Sequence, residues 1–545
     1  MNLLLNTSED VFSFSLDQIT QLNSPNQAVL FSLAHLACQL ESAKALEFYR
    51  KDSSEIVSSL IDLHQSRVCS NMMQQFLESP VDFGFKDRDS VMKKFSQLPA
   101  ETLSYSFSAE LGKKIAEQMR VPEFGLSDEH EMVRESFRKV ANSTVQPLAE
   151  KIHREDSLLP EEFIKQFSEL GCFGLSIPES FGGFQQETDP DHLGMVLVTE
   201  ELSRGSLAAA GSLITRPEIL ARALLKGGSE SQKQYWLPKI AAGEKMVGIA
   251  VTEPDYGSNV AEMKFSATPL KEGDLESGWL LNGTKTWCTF AGRADVLALL
   301  ARTDKDLSLR HKGLSLILVE KPIESGHSFE LFQNEKSFTE GEQVECSHAK
   351  GRMEGRAIPT IGYRGMHSFE IKFENWFVPH TALVGEADGL GKGFYLQMEG
   401  FSAGRLQTAA RANGLMHAAL EQAIRYSMER SVFGVPVAHH AASSQKLAYM
   451  ASALLASRAL TYESAKNLGD TNGASIAAMA KLFCSRTAEW VTREALQLHG
   501  GMGYAEEYAV SRYFLDARVL SIFEGAEEVL AVKVIAPYLF KKRKM

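Results

Sequence analysis

The period of the apolar positions changes twice along this chain. Through about residue 124 they recur every three or four residues, with Val29, Leu33, Leu36 and Leu40 on one face and Pro80, Pro99 and Pro122 as punctuation. This spacing predicts a helical extension. It holds no chemical motif, so packing or assembly is its expected role. The apolar run 28–38 is too short to span a bilayer and lacks the flanks of a signal peptide, which makes it a buried helix. A second helical block opens at Ser127-Asp128, where Asp128 and Glu131 resemble a capping box. Val133, Phe137 and Val140 mark its face, and Pro147 interrupts it. The next helix follows Pro160, carries Phe163, Phe167 and Leu170, and stops at Gly171. Further helices are expected over 191–203 and 217–225.

From residue 247 the pattern turns extended. Strands are predicted over 247–252, 264–268 and 279–281. Asn282-Gly283 reads as a hairpin turn into 284–290, with more strands at 296–301, 314–319 and 369–373. The polar stretch 333–356 has no clear period and is expected to be a long loop. Helices return at 404–430, 443–467 and 474–498, with long apolar faces that suggest a bundle. The expected architecture is mainly α with a central β-domain: a helical extension (1–124), a helical domain (125–246), a β-domain (247–386) and a helical bundle (387–545).

Composition narrows the function. Acids exceed bases, for a formal net charge of -12, which argues against nucleic acid as a partner. Nothing predicts a membrane segment. The six cysteines are scattered without a CxxC pair and read as reduced thiols of a cytoplasmic protein. No Walker loop or Gly-x-Ser-x-Gly elbow is present, and no His/Asp/Glu cluster has metal-ligand spacing along the chain, so no metal is expected. Gly389-x-Gly-x-Gly393 lacks the preceding strand of a dinucleotide loop and reads as a loop entering a helix. His439 and His440 are adjacent and face apart.

Four patches remain as candidate chemistry. Glu524, between Phe523 and Gly525, is either an acid in the first turn of a helix or a general base. Glu527 and Glu528 fit the first role better. In the second, desolvation beside Phe523 would raise its pKa, and Gly525 would let substrate approach the backbone. Val251-Thr-Glu-Pro-Asp-Tyr-Gly-Ser258 ends a strand with groups able to grip a polar heterocycle. Trp287-Cys-Thr289 offers an indole face beside a hydroxyl, suited to a flat cofactor. Gln497-Leu-His-Gly-Gly501 offers paired glycines to phosphates.

These patches, together with Glu429-Arg-Ser-Val-Phe-Gly434 and Ile522-Phe-Glu-Gly525, occur in an order that resembles the flavin-dependent acyl-CoA dehydrogenases from about Gly125 to the C-terminus. The resemblance implies an N-terminal helical domain, a middle β-domain of barrel or sandwich type and a C-terminal four-helix bundle. It implies FAD as cofactor and an acyl-CoA thioester as substrate. Glu524 would take the α-proton while the β-hydride passes to the flavin, with the Glu524 N–H and a ribityl hydroxyl holding the thioester oxygen. Val251, Thr252, Trp287 and Thr289 would lie along the flavin, with Ser258 at its boundary with substrate. Arg430, Phe433, Gln497, Gly500 and Gly501 would reach the adenosine pyrophosphate of a neighbouring subunit's FAD, and Glu528 is a further cofactor-side candidate. Arg405 and Gly525 would belong to the acyl-CoA site. Some relatives carry the base just before the equivalent of Arg405; Gly404 stands there, which supports Glu524. Ala526 and Ala441 stand where many members have Thr and Gln.

The stretches Gly211-Ser-Leu-Ile-Thr-Arg216, Gly351-Arg-Met-Glu-Gly-Arg-Ala-Ile-Pro359, Ile361-Gly-Tyr-Arg-Gly-Met-His367 and Gly391-Lys-Gly-Phe-Tyr-Leu-Gln-Met398 resemble a branch of the family acting on a short branched dicarboxylic thioester. The implied reaction is (2S)-methylsuccinyl-CoA to mesaconyl-CoA. Such a substrate needs a cation for its free carboxylate, with Arg216 the first candidate and Arg364 the second. The implied partners are electron-transferring flavoprotein as acceptor and further copies of the chain in a dimer or tetramer. The alternatives are a dehydrogenase for glutaryl- or another short acyl-CoA, a non-catalytic assembly protein of the same fold, and a flavin oxidase or monooxygenase.

Overall fold

The computed structural model describes residues 3–22, 25–51, 53–96, 102, 104–271 and 274–544; Pro99 lies outside them. In chain order the helices are α1 (Leu3–Thr20), α2 (Gln27–Glu47), α3 (Glu55–Glu78), α4 (Arg88–Lys94) and α5 (Tyr105–Glu117). Next come α6 (Asp128–Val140), α7 (Gln146–Arg154), α8 (Glu161–Glu169), α9 (His192–Gly205), α10 (Thr215–Gly227) and α11 (Glu230–Ala241). The strands follow as β1 (Val247–Ala250), β2 (Ser266–Lys271), β3 (Asp274–Thr289), β4 (Val296–Arg302) and β5 (Leu314–Glu320). After them lie β6 (Ser328–Phe332), β7 (Lys336–Thr339), β8 (Glu342–Glu345), β9 (Arg352–Ala357) and β10 (Ser368–Val378). Then α12 (Gly393–Glu429) leads to a small hairpin, β11 (Ser431–Val432) and β12 (Val435–Pro436). The chain closes with α13 (Ala441–Lys466), α14 (Gly473–His499), α15 (Ala509–Ala517), α16 (Glu527–Val529) and α17 (Ala536–Lys544).

Two compact units result: one of residues 1–141, 196–207 and 405–545, the other of 142–195 and 208–404. In the first, the extension shares a hydrophobic core with the C-terminal helices. Leu33, Leu36, Leu40, Met72 and Phe76 pack in one cluster with Met479, Leu482, Leu530 and Ile535. Each buried side chain of this size contributes about 1.5–3 kcal/mol, so the extension is bonded to the bundle by burial. Helix starts follow local chemistry: Ser54, Ser104 and Ser127 each accept a backbone N–H of the turn they open. The last corrects the expected capping box. Ser127, not Asp128, caps α6, and the Glu131 carboxylate accepts the Leu126 N–H instead. Pro147 marks an interruption, as expected: α6 passes into a π-helical stretch, Ala141–Val145, and the α-helix resumes as α7 with Pro147 in its first turn. Deep in this unit Arg458 is paired with Glu200 at 2.6 Å, and the Tyr462 hydroxyl donates to the same carboxylate at 3.0 Å.

The second unit is built on one curled eight-stranded sheet in the order β1-β4-β2-β3-β10-β9-β6, with β5 paired to β4; this is the form the expected barrel or sandwich takes. Leu220, Leu237 and Trp236 of α10 and α11 cover Val247, Val296, Leu316 and Leu318 on one face. Phe265, Trp279, Phe373 and Trp376 fill the other. Two expectations fail here. Asn282-Gly283 makes no hairpin, because β3 runs straight through it from Asp274 to Thr289. Asn282 instead exchanges hydrogen bonds with Asn375 of β10, and a Cβ on Gly283 would lie 2.8 Å from the Phe265 ring. The glycine allows close packing, not a turn. Nor is 333–356 a long loop: β7 and β8 form a hairpin whose turn residues Glu340 and Gly341 have positive φ, and β9 follows. Gly389 and Gly393 serve close backbone packing, since a Cβ on either would meet backbone atoms within 2.5 Å. All six cysteines are unpaired, and no helix among the described residues is long and apolar enough to cross a membrane.

Candidate active site

In the first unit, α12 carries Arg405, Thr408 and Arg411 three residues apart, so all three lie along one stripe of the helix. They face the segment that joins the turn 518–521 to α16. There Glu524 and Gly525 both take positive φ, 54° and 102°. A non-glycine residue held in that region is costly unless its neighbours enforce it, and the neighbours are visible. Arg411 donates to one carboxylate oxygen of Glu524 at 2.8 Å and Thr408 to the other at 2.6 Å. Arg405 approaches its carbonyl at 3.4 Å, and Lys481 of α14 donates to the Gly525 carbonyl at 2.8 Å. The Glu524 side chain is only 7% exposed. Its N–H has no partner among the described residues.

This geometry separates the two readings of Glu524. The helix begins at Glu527, so Glu527 and Glu528 occupy its first turn and Glu524 does not. The Glu524 side chain is buried, as expected, but its surroundings are not Phe523 alone. The Phe523 ring lies 4.7 Å from the Arg411 guanidinium, and the carboxylate is ion-paired. Burial pushes the neighbouring Lys481 ammonium down to about 7, against the opposing charge of Glu524.

Elsewhere in this unit, β11 and β12 turn through Phe433 and Gly434 (φ 51° and 87°), and Phe433 projects 98% exposed. Arg430, at the root of the hairpin, is exposed. Gln497, exposed on the last turn of α14, precedes Gly500 and Gly501; a Cβ on either glycine would meet nothing within 4 Å. Glu528 is exposed, Ala441 begins α13 and Ala526 precedes α16.

The second unit gathers the other set. Lys285 of β3 is fully buried and donates to the Val251 carbonyl at 2.9 Å and to Glu253 at 3.2 Å. Burial pushes this amine down to about 8. The Thr286 N–H donates to the Thr252 carbonyl at 2.8 Å. The Val251–Ser258 segment is thereby pinned beside the strand that bears Trp287 and Thr289, with Ser258 exposed. Trp287 takes φ 57° and leaves its ring 55% exposed, while the buried Thr289 hydroxyl pairs with Ser368 at 2.9 Å. An exposed indole face is a platform for a flat ring.

The two candidate cations differ. Arg364 is engaged: it donates to the His153 carbonyl at 2.9 Å and lies 3.5 Å from Asp156. Arg216, at the start of α10, is 5% exposed and donates only to the Ser212 carbonyl at 3.2 Å, with the Tyr363 ring 5.9 Å away. It has no acidic partner among the described residues. Thr408, Arg411, Lys481, Lys285 and Ser368 escaped the sequence reading, and Glu253 was read only as part of the Val251–Ser258 patch. The signal for the first two was the polar spacing Arg405-x-x-Thr408-x-x-Arg411 within an alanine- and leucine-rich helix.

Helical domain, curled β-sheet and helical bundle, with a buried carboxylate in one unit and an exposed indole platform in the other, define a flavin-dependent dehydrogenase. Models of the N-terminal, middle and C-terminal domains of acyl-CoA dehydrogenases match residues 127–244, 248–337 and 391–538. The (2S)-methylsuccinyl-CoA dehydrogenase of Cereibacter sphaeroides is 41% identical over 413 residues, 76% of this chain and 70% of that protein. The mitochondrial short-chain specific acyl-CoA dehydrogenase of Bos taurus is 32% identical over 76% of this chain and 91% of its own. A glutaryl-coenzyme A dehydrogenase solved with glutaryl-CoA superposes with a TM-score of 0.65 at 29% identity, over 75% of this chain and 94% of that one. The chain belongs to the acyl-CoA dehydrogenase family, and its cofactor is FAD. The residues present fit that cofactor: the Trp287 face suits the flavin ring, and the open backbone at Gly500 and Gly501 suits phosphate.

Proposed function

We propose that the enzyme oxidises (2S)-methylsuccinyl-CoA to mesaconyl-CoA, with Glu524 as the base. The observation that carries the choice of a dicarboxylic substrate is Arg216, a buried guanidinium with no acidic partner among the described residues. A buried charge left uncompensated is expensive. The free carboxylate of a short dicarboxylic thioester completes it as a charge-assisted pair. The identity to the methylsuccinyl-CoA dehydrogenase supports the same choice.

The chain's own residues supply the rest. The Glu524 carboxylate, held in place by Arg411 and Thr408, is the group that accepts the α-proton. The unpartnered Glu524 N–H donates to the thioester oxygen and stabilises the charge that develops there. The acceptor for the β-hydride would be supplied by FAD when bound. Val251, Thr252, Ser258, Trp287 and Thr289 would hold its flavin end; Arg430, Phe433, Gln497, Gly500 and Gly501 would reach the adenosine pyrophosphate of a neighbouring subunit's FAD, with Glu528 a further cofactor-side residue. Arg405 and Gly525 contribute to the acyl-CoA site. Electron-transferring flavoprotein is the proposed acceptor, and the unpaired thiols fit a cytoplasmic setting. The exposed Phe433 ring fits contact with a second copy of the chain.

Glutaryl-CoA is the second reading, because the solved relative above holds that thioester. Anaerobic flavin bleaching by methylsuccinyl-, glutaryl-, butyryl- and isobutyryl-CoA separates them, and the highest kcat/KM is expected for methylsuccinyl-CoA. Arg216→Ala should lower kcat/KM on dicarboxylic thioesters by about 10²–10³, the worth of a charged hydrogen bond and its desolvated partner. Butyryl-CoA turnover should be little changed. Equal losses on both substrates would remove Arg216 from carboxylate recognition.

A further inference from the structure

Three side chains outside the proposed machinery converge in the second unit. The Nε2 atoms of His327 and His367 lie 3.1 Å apart, and Asp156 Oδ1 lies 3.2 Å from His367 Nε2. All three atoms fall within 4.8 Å of one another. The sheet makes the imidazole pair. His327 immediately precedes β6 and His367 immediately precedes β10, the two strands that flank β9. The Ala357 N–H at the end of β9 donates to the His327 carbonyl at 2.7 Å, and the Ile358 N–H to the Ser368 carbonyl at 2.7 Å. Both rings therefore lie over the same end of β9. Asp156 comes from the turn after α7, which is tied to the same place by the Leu159 N–H on the Gly365 carbonyl at 3.2 Å.

We propose that Asp156, His327 and His367 form a binding site for a divalent transition cation of the zinc type. Hydrogen bonding alone does not satisfy the cluster. On a neutral ring His367 Nε2 is either a donor, which suits Asp156, or an acceptor, which suits His327; it cannot be both. A cation at the centre takes a lone pair from each of the three atoms. Ligand atoms about 2.0–2.1 Å from a tetrahedral zinc stand about 3.3 Å from each other, close to the 3.1 and 3.2 Å found here. Two imidazoles with one carboxylate favour zinc, nickel or copper over magnesium or calcium, and remaining positions stay open to water. Arg364 Nε lies 3.5 Å from the same Asp156 oxygen, beyond a good hydrogen bond, and leaves it a lone pair for a metal. His367 is buried and His327 exposed, so a cation can enter from the His327 side. With His367 40 residues from His327 and 211 from Asp156, no motif spacing announces the set.

The test uses the full-length flavoprotein, stripped with a chelator and dialysed against zinc, with bound metal counted by mass spectrometry. One zinc per chain and a zinc-dependent rise in Tm are expected. His327→Ala and Asp156→Asn should each weaken zinc affinity about 100-fold or more and abolish the Tm rise while keeping their flavin. His327 is exposed, so its loss leaves the fold intact. Failure of the wild type to bind zinc stoichiometrically overturns the proposal. So does zinc binding that is unchanged in both variants, which would assign the metal to other histidines.

Discussion

Both carboxylate oxygens of Glu524 are held, one by a fully buried guanidinium. Removing one partner of a buried pair costs about 3–5 kcal/mol, so Arg411→Leu should lower the denaturation midpoint by that equivalent, and Arg411→Lys by less. An unchanged midpoint would show that the pair carries no stability. Lys481 gives a pH signature. Its folded-state value of about 7 lies below the 10.5 of the free side chain because burial disfavours the ammonium. Folding thus carries no penalty from this group above pH 10.5; the penalty grows as pH falls and is complete near 7. Lys481→Met should therefore gain Tm relative to wild type when pH is lowered from 10 to 7, measured by calorimetry. A pH-independent offset would contradict the assignment. At this scale the proposed base was legible through its motif, and its partners were not. Thr408, Arg411 and Lys481 lie on helices whose apolar majority hides single polar residues, and only the fold shows which of them turn inward.

Elements were legible where one period ran long. Leu33, Leu36 and Leu40 mark α2, and the alternating Phe369, Ile371 and Phe373 mark β10, as the burial pattern bears out. The reading failed where local turn chemistry was asked to override tertiary packing. Asn282-Gly283 is a strong hairpin signal in isolation, yet the glycine fits under Phe265 and the asparagine reaches across to Asn375. Gly283→Val should therefore cost about 1–3 kcal/mol by overpacking, read from a denaturant midpoint. The amides of 279–289 should exchange as slowly as those of neighbouring strands. Fast exchange centred on 282–283 would restore the turn. The missed hairpin β7–β8 shows the reverse weakness: it is short and charged on both faces, so it shows no apolar alternation.

At the level of the whole molecule, the order of helical region, sheet and bundle was legible because the apolar period changes at each border. What the extension does was not, since a helix face reads alike whether it meets its own domain or another. Its core residues pack with Met479, Leu482, Leu530 and Ile535, so a chain lacking residues 3–124 should expose that face and aggregate or melt well below the intact protein. A truncated chain of full stability and solubility would contradict this. The central claim is that Glu524 takes the α-proton of a dicarboxylic acyl-CoA in the flavin-reducing step. Anaerobic stopped-flow bleaching of the flavin by (2S)-methylsuccinyl-CoA, wild type against Glu524→Gln, tests it most directly. The account predicts flavin-replete variant protein whose bleaching is slowed by at least about 10²–10⁴, the worth of a general base; bleaching at the wild-type rate would contradict it.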